Sequence, residues 1–220
     1  MELVVAHPIP ISFGRGLNIR TANKADLRSI LRMRGKIAIW LRSKDTDQWQ
    51  SAWPDEREQA ARIRAAIKAN ATWIICRGKR RVATLTIHDY DQGLLWSKTE
   101  GAGVPALYLS RMMVDREYAG RGIGAEMLVW AENYAATLGL RYLRLDAWTT
   151  NEKLHRYYEE RGFETAGEIP AALIEERKDL VGYPSMRLFQ RPVRATERAV
   201  TGRTVFSPLK RRGFEWVNTG

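Results

Sequence analysis

Apolar residues at Leu27, Ile30, Leu31 and Ile37 recur at the spacing of one helical face, so the pattern predicts a helix over Asp26–Leu41. A second helix is expected over Asp55–Ala69, opened by Pro54-Asp55-Glu56, whose acids suit the positive end of a helix. The period then shortens. Thr72–Cys76 and Val82–His88 are compact apolar runs separated by the basic turn Arg77-Gly78-Lys79-Arg80-Arg81, which reads as a hairpin. A short strand is expected before the first helix, over Leu17–Thr21. After a long loop at 89–105 come a strand at Leu107–Val114, a helix at 121–138, a strand at 141–147, a helix at 151–161 and a strand at 163–167. A polar, partly helical excursion follows at Ile169–Val181, and a last strand at Pro184–Gln190. The order is β-αα-βββ-α-β-α-ββ. The first 16 residues, with Pro8, Pro10, Gly14 and Gly16, read as an irregular arm.

The stretch between strand 107–114 and the next helix carries the most chemistry. It ends in Gly120-Arg121-Gly122-Ile123-Gly124, and the helix opens at once. Glycines let a backbone approach a ligand closely. A helix start adds unpaired N–H groups and a partial positive charge. Together they make an anion site suited to a pyrophosphate. Gly120, Gly122 and Ala125 also fit the dinucleotide fingerprint G-x-G-x-x-G/A, with Asp146 about 20 residues further on. Against that reading, Asp115–Ala119 intervene between strand and glycines, and too few βα units follow for a dinucleotide fold. No Lys-Ser/Thr pair follows the glycines, so the Walker pattern is absent. A plain tight strand–helix turn is the simplest alternative.

A second motif narrows the choice. Residues 151–163 run from Asn151, a suitable N-cap, through Leu154, Tyr157 and Tyr158 on one helical face, to Gly162-Phe163. Strand, glycine loop, helix, strand, then Asn…Tyr-x-x-x-Gly-Phe resembles the GNAT superfamily of acetyl-CoA-dependent N-acetyltransferases. The resemblance is specific from about Leu107 to Phe163. The family's phosphate loop reads Gln/Arg-x-x-Gly-x-Gly/Ala; here Gly122 and Gly124 fill its last two positions and Ala119 stands at its first, which removes a polar side chain.

The resemblance implies an α/β (α+β) fold with a GNAT-like mixed, twisted central sheet flanked by helices. It implies acetyl-CoA as acyl donor, with CoA held by backbone at Met112, Met113 and Val114 and by amides of Ala119, Gly120, Arg121, Gly122, Ile123, Gly124 and Ala125. Asn151 would orient it by a hydrogen bond, and Tyr158, four residues before Gly162, would protonate the leaving thiolate and line the pocket. Arg116 and Arg121 are close enough in sequence to add charge-assisted contacts. The reaction implied is direct attack of an amine on the thioester. An alkyl amine has a pKa of about 10.4, so neutrality at pH 7 costs about 4–5 kcal/mol and a carboxylate base is useful. Asp89, Asp91, Glu100 and Asp146 are all open to that role; Asp89 and Glu100 lie in the 89–105 loop expected to help shape the acceptor site.

Composition bounds the rest. With 220 residues and 45% apolar content the chain fits one domain with an extension. The expected division is an arm at 1–16, the acyltransferase domain at 17–190 and a basic extension at 191–220. The lone cysteine, Cys76, lies in an apolar run and reads as a buried core thiol. His7, His88 and His155 show no metal-ligand spacing, so no metal is expected. No apolar run approaches a membrane span and no secretory segment opens the chain, so a soluble cytoplasmic protein is expected.

The net charge is +11. It could serve an anionic cofactor, form a solvated surface, or steer an acidic acceptor or RNA. A GNAT-fold enzyme passing an aminoacyl group from a charged tRNA to an amine is therefore an alternative. A non-catalytic acyl-CoA-binding module is another. The extension holds seven Lys/Arg against two Glu, with Val205, Phe206, Leu209, Phe214 and Trp216 as apolar anchors. Packing of that tail on the domain or on the partner of a homodimer is one reading, and a mobile basic end the other. The acceptor itself, a small-molecule or peptide amine, is left open.

Overall fold

The structure, a computed structural model, describes residues 16–194. The arm up to residue 15 and the tail from residue 195 lie outside the described residues, and with them the tail's anchors.

Seven strands form one sheet: β1 (Asn18–Thr21), β2 (Thr72–Arg77), β3 (Arg80–His88), β4 (Ala106–Val114), β5 (Tyr142–Ala147), β6 (Glu164–Glu168) and β7 (Arg187–Pro192). Their order is β1-β2-β3-β4-β5-β7-β6. All neighbours are antiparallel except β4 and β5, which run parallel with helix α3 (Ile123–Thr137) as their crossover. The remaining helices are α1 (Leu27–Leu41), α2 (Glu56–Lys68), α4 (Glu152–Glu159) and α5 (Ala171–Glu176). The expected mixed sheet flanked by helices is thus present, with element boundaries within a few residues of those predicted.

The sheet is covered on both faces, and the apolar pattern says why. Ile74 and Ile75 on β2 are both fully buried although they point to opposite faces. On one face Ile75, Leu85, Leu107, Leu143 and Phe189 pack against Met127, Leu128, Trp130 and Ala131 of α3 and Tyr158 of α4. On the other, Ile74, Cys76 and Met113 meet Ile30 and Met33 of α1 and Ile63 and Ile67 of α2. Cys76 is a buried free thiol, as expected.

Segment 169–181 is less polar in function than its composition suggested. Ile169, Leu173 and Leu180 are buried against Leu95, Trp96 and Leu188, so α5 and the turn after it close the second face near β7. The last strand also starts later than expected. The carbonyl of Pro184 accepts from the backbone and hydroxyl of Thr149, which ties residue 184 to the β5–α4 turn instead of the ladder.

The start of the first helical segment is fixed by a buried charge. Asn23 and Asp26 form a capping box around a single 3-10 turn ahead of α1. Asp26 is fully buried and accepts from Arg20 at 2.7 and 2.9 Å, from Arg81 at 2.8 Å and from the Asn23 amide at 2.9 Å. Burial opposes ionisation there, but these donors outweigh it and hold the carboxyl well below the usual range.

Candidate active site

The loop after β4 is built for φ values that only glycine adopts easily. Asp115 caps a 3-10 turn at Arg116–Tyr118, its side chain accepting from the Glu117 amide at 3.1 Å. Gly120 and Gly122 then sit at φ 74° and 78°, and α3 begins at Ile123. A Cβ on either glycine would meet nothing within 4 Å, so the backbone angle and not crowding calls for glycine. The space above the loop is open to a ligand. The Glu126 amide bonds the Gly122 carbonyl, so the amides of residues 123–125 are first-turn donors that no carbonyl of the helix can reach. A Cβ on Gly124, by contrast, would run into the Tyr157 hydroxyl of α4.

The basic residues nearby have local partners. Lys36 of α1 reaches Asp115 at 3.5 Å and Glu117 at 3.2 Å, and Arg80 pairs with Glu117. Arg116 stacks on Trp40 at 3.8 Å from the ring centre, and Arg121 on Tyr118 at 5.0 Å.

Strands β4 and β5 part company next to this loop. They pair from Ala106–Tyr142 to Leu109–Leu145 and no further. Residues 110–114, which include Met112, Met113 and Val114, therefore face a gap on the β5 side while still following β3. A bulge accompanies the parting: Thr84 pairs with Met113 but Thr86 with Ser110, three steps against two. Arg111 sits in the bulge at φ 49°. The extra residue switches the strand's facing. Leu107 and Leu109 point to the α3 face, and so do Met112 and Val114, of opposite parity.

Side chains from both faces meet at the gap. Asp146, near the free end of β5, accepts from the Tyr183 hydroxyl at 2.7 Å. Burial pushes the Asp146 carboxyl upward, and the Tyr183 bond pulls it back. Tyr158 of α4 is buried beside Tyr157, Phe163 and Phe189, with ring centres 5.5–5.9 Å away. Burial first, then the charge of Asp146 among others, raises the Tyr158 phenol well above its ordinary value. Arg111 is half-buried, and burial lowers its guanidinium, which also feels Tyr183, Arg62 and Asp146. His88 is buried, its Nε2 has no partner among the described residues, and burial together with the charge of Arg111 lowers it to about 4.

The remaining candidates scatter. Asn151 caps α4, accepting from the Leu154 amide at 2.9 Å, and donates to Gln48. In the same loop between α1 and α2, Asp47 accepts from Trp148 at 2.7 Å and from Thr150, so this loop bridges to the β5–α4 turn. Asp89 directly follows His88, which pairs with Tyr108 near the closed end of β4 and β5. Glu100 is exposed on a cavity of about 520 Å³ with Trp96, Lys98, Thr165 and Gln190. Asp91 accepts from the Trp96 amide at 2.7 Å, and burial raises it. Sequence reasoning gave no role to Arg111, His88 or Tyr183. The one available signal was the lone arginine in an otherwise apolar strand, where the apolar alternation also breaks parity.

Comparison with known proteins agrees with this layout. A sequence model described as the acetyltransferase (GNAT) family matches residues 37–163. An uncharacterized N-acetyltransferase of Bacillus subtilis, YesJ, is 26% identical over 146 residues, 64% of this chain and 78% of that protein. Among solved structures, a GNAT-family acetyltransferase of Listeria monocytogenes superposes with a TM-score of 0.60 at 21% identity, covering 84% of this chain and 99% of that one. The PaiA N-acetyltransferase of Thermoplasma acidophilum, solved in complex with coenzyme A, gives 0.57 at 14% identity, covering 80% and 98%. Among the described residues, no helix is long and apolar enough to cross a membrane.

Proposed function

The chain belongs to the acetyltransferase (GNAT) family and is an acyltransferase; from that premise we propose that it moves an acetyl group from acetyl-CoA to a primary amine of a small molecule or peptide in one direct step. The observation that carries this reading is the parting of β4 and β5 after Leu109 and Leu145, with the glycine loop that opens α3 and Tyr158 on the α3 face and Asp146 turned to the other. The acyl donor of the family, and the coenzyme A held by the Thermoplasma enzyme, fit the open cradle over Gly120 and Gly122. Bound there, acetyl-CoA supplies an activated thioester.

Amides of residues 120–125 hold the pyrophosphate; that of Ala119, also expected there, is bonded to the Arg116 carbonyl at 3.2 Å. The unpaired edge of Met112, Met113 and Val114 offers backbone groups to the pantetheine arm, as a missing strand would. Asn151 turns its amide from Gln48 toward the same arm. Asp146 takes the proton of the attacking amine; a raised carboxyl is a better match to that task than an ordinary one. As the nitrogen bonds to the acyl carbon, the carbon–sulfur bond breaks, and Tyr158 gives its proton to the departing sulfur. Desolvation keeps that phenol protonated until then. Asp89 and Glu100 are not placed in this scheme, because neither adjoins the gap. Aminoacyl transfer from tRNA and a non-catalytic role gain no support from the family match.

The test is Tyr158→Phe in a thiol-release assay with acetyl-CoA and an amine panel. kcat is expected to fall about 10²–10⁴-fold, with KM for acetyl-CoA nearly unchanged. An unchanged kcat, with chemistry shown to limit the rate, would leave Tyr158 as a wall of the pocket.

A further inference from the structure

Two desolvated arginines flank the cleft on the α1/α2 face, and they differ in how they are satisfied. Arg144 is 1% exposed, yet it bonds the Tyr108 hydroxyl at 3.3 Å and Gln190 Oε1 at 3.4 Å and lies 4.4 Å from the centre of the Trp96 ring. Gly101 closes over it so tightly that a Cβ there would strike the guanidinium. Arg144 is a structural strut. Arg111 has none of this. No described residue accepts a hydrogen bond from it, although a guanidinium carries five N–H donors. It is also held at φ 49°, a conformation that strains a non-glycine residue and concentrates at functional sites.

The neighbours of Arg111 do not supply the missing acceptor. Asp146 accepts from the Tyr183 hydroxyl and acts on Arg111 through its charge, with no hydrogen bond between them. His88 presents an unpartnered ring nitrogen but no negative charge. Arg62 adds a second positive charge from α2, where it pairs with Glu58 at 3.0 Å and lies 4.9 Å from the Trp53 ring centre. The charge of Arg62 is answered by Glu58, so the guanidinium at this end of the cleft that lacks an acceptor among the described residues is that of Arg111, and an arriving carboxylate would supply one.

We propose that the acceptor is a small amine bearing its own carboxylate, with Arg111 gripping that carboxylate and Asp146 facing the amine. A planar guanidinium suits a carboxylate in a two-point fork, which a lysine could not reproduce. Two opposite charges on one small acceptor match the opposite charges of Arg111 and Asp146. Arg111 thereby determines specificity without touching the reacting atoms. This rests on the acetyl-transfer reading for its chemistry but not for its binding.

The test uses amine pairs that differ only in the acid: glycine and glycinamide, β-alanine and β-alaninamide, 4-aminobutyrate and 4-aminobutanamide. An amide has the less basic amine and would be the better acceptor without recognition, so a preference for the acid is not an effect of basicity. The full-length protein is expected to favour the acid of at least one pair by about 10–100-fold in kcat/KM, the range of one charge-assisted hydrogen-bond pair. Arg111→Gln should bring that ratio to about 1, chiefly through KM, with Arg111→Lys intermediate and CoA binding retained in both. Equal or better use of all the amides by the wild type, or a preference that survives Arg111→Gln, would overturn the proposal. If no amine releases thiol, acetyl transfer is the reading that has failed. Calorimetric titration of acids and amides into CoA-saturated protein then decides: acid-selective binding lost in Arg111→Gln upholds it, and unselective or absent binding overturns it. Should Arg111→Gln fail to fold, the wild-type acid-to-amide ratio and the Arg111→Lys variant decide in the same way.

Discussion

The Tyr183 hydroxyl donates to Asp146 Oδ2 at 2.7 Å, joining the segment before β7 to the free end of β5. The bond favours the ionised carboxylate while burial disfavours it. A base must be ionised to act, so activity falls as pH drops through its pKa. Removing the hydroxyl in Tyr183→Phe lets burial prevail and moves the acidic limb of kcat/KM upward. One hydrogen bond to a charged group is worth about 1.5–3 kcal/mol, which sets an expected displacement of about one to two pH units. A pH–rate profile of the variant checks this, and an unmoved limb would remove Asp146 from the role of base.

Gly122→Glu is expected to abolish coenzyme A binding while leaving the domain folded. The backbone at φ 78° costs a side chain about 1–2 kcal/mol, too little to unfold a typical domain, and the new carboxylate would enter an anion site. In the wild type, coenzyme A at a hundred times its Kd should add about 2.7 kcal/mol of stability. Thermal melts with and without the ligand measure both. Full stabilisation in the variant would relocate the phosphate site.

His88 makes stability depend on pH. Its folded value, about 4, lies below the ordinary value of 6.5. The unfolded chain therefore takes up a proton first as pH falls. The contribution of the neutral ring is fully present above pH 6.5 and is lost between pH 6.5 and 4. Its size is up to about 3 kcal/mol. Urea unfolding at pH 7 and pH 4.5 should show a steeper loss for the wild type than for His88→Gln. Parallel losses would mean that His88 charges freely in the folded state.

Asp26→Ala should destabilise the protein by about 2–3 kcal/mol, below the 3–5 kcal/mol usual for breaking a buried pair. The discount follows from Arg20 and Arg81, 40% and 33% exposed, which can turn toward water when the carboxylate is gone. Equilibrium unfolding in urea checks it, and a loss under 1 kcal/mol would make the pairing incidental.

Much of the fold could be read from periodicity. The α1, α2 and α3 faces repeat at helical spacing, β2 and β3 flank a basic turn, and the glycines mark the start of α3. These signals are local, written within a dozen residues. The cleft is not local. Asp146 was one acid among four, and what singles it out is Tyr183, 37 residues further on. Tyr183 lies just past the segment Ile169–Val181 that composition marked as polar, because its three buried anchors, Ile169, Leu173 and Leu180, are spaced among charges. Arg111 was hidden by its strand: the change of parity between Leu109 and Met112 is the one local trace of the bulge, and it does not say that an arginine is held there. Asn151 was legible as a cap but not as a partner of Gln48, since nothing near residue 151 announces the loop between α1 and α2.

Side chains from both faces of the sheet border the gap between β4 and β5. Tyr158 and the glycine loop stand on the α3 side, and Asp146 with Tyr183 on the other. Two substrates using it would arrive from opposite directions and neither would bar the other's exit. Such a site has no need to park the acyl group on a side chain between visits. Steady-state plots against either substrate should then intersect instead of running parallel, since both must be seated before anything leaves.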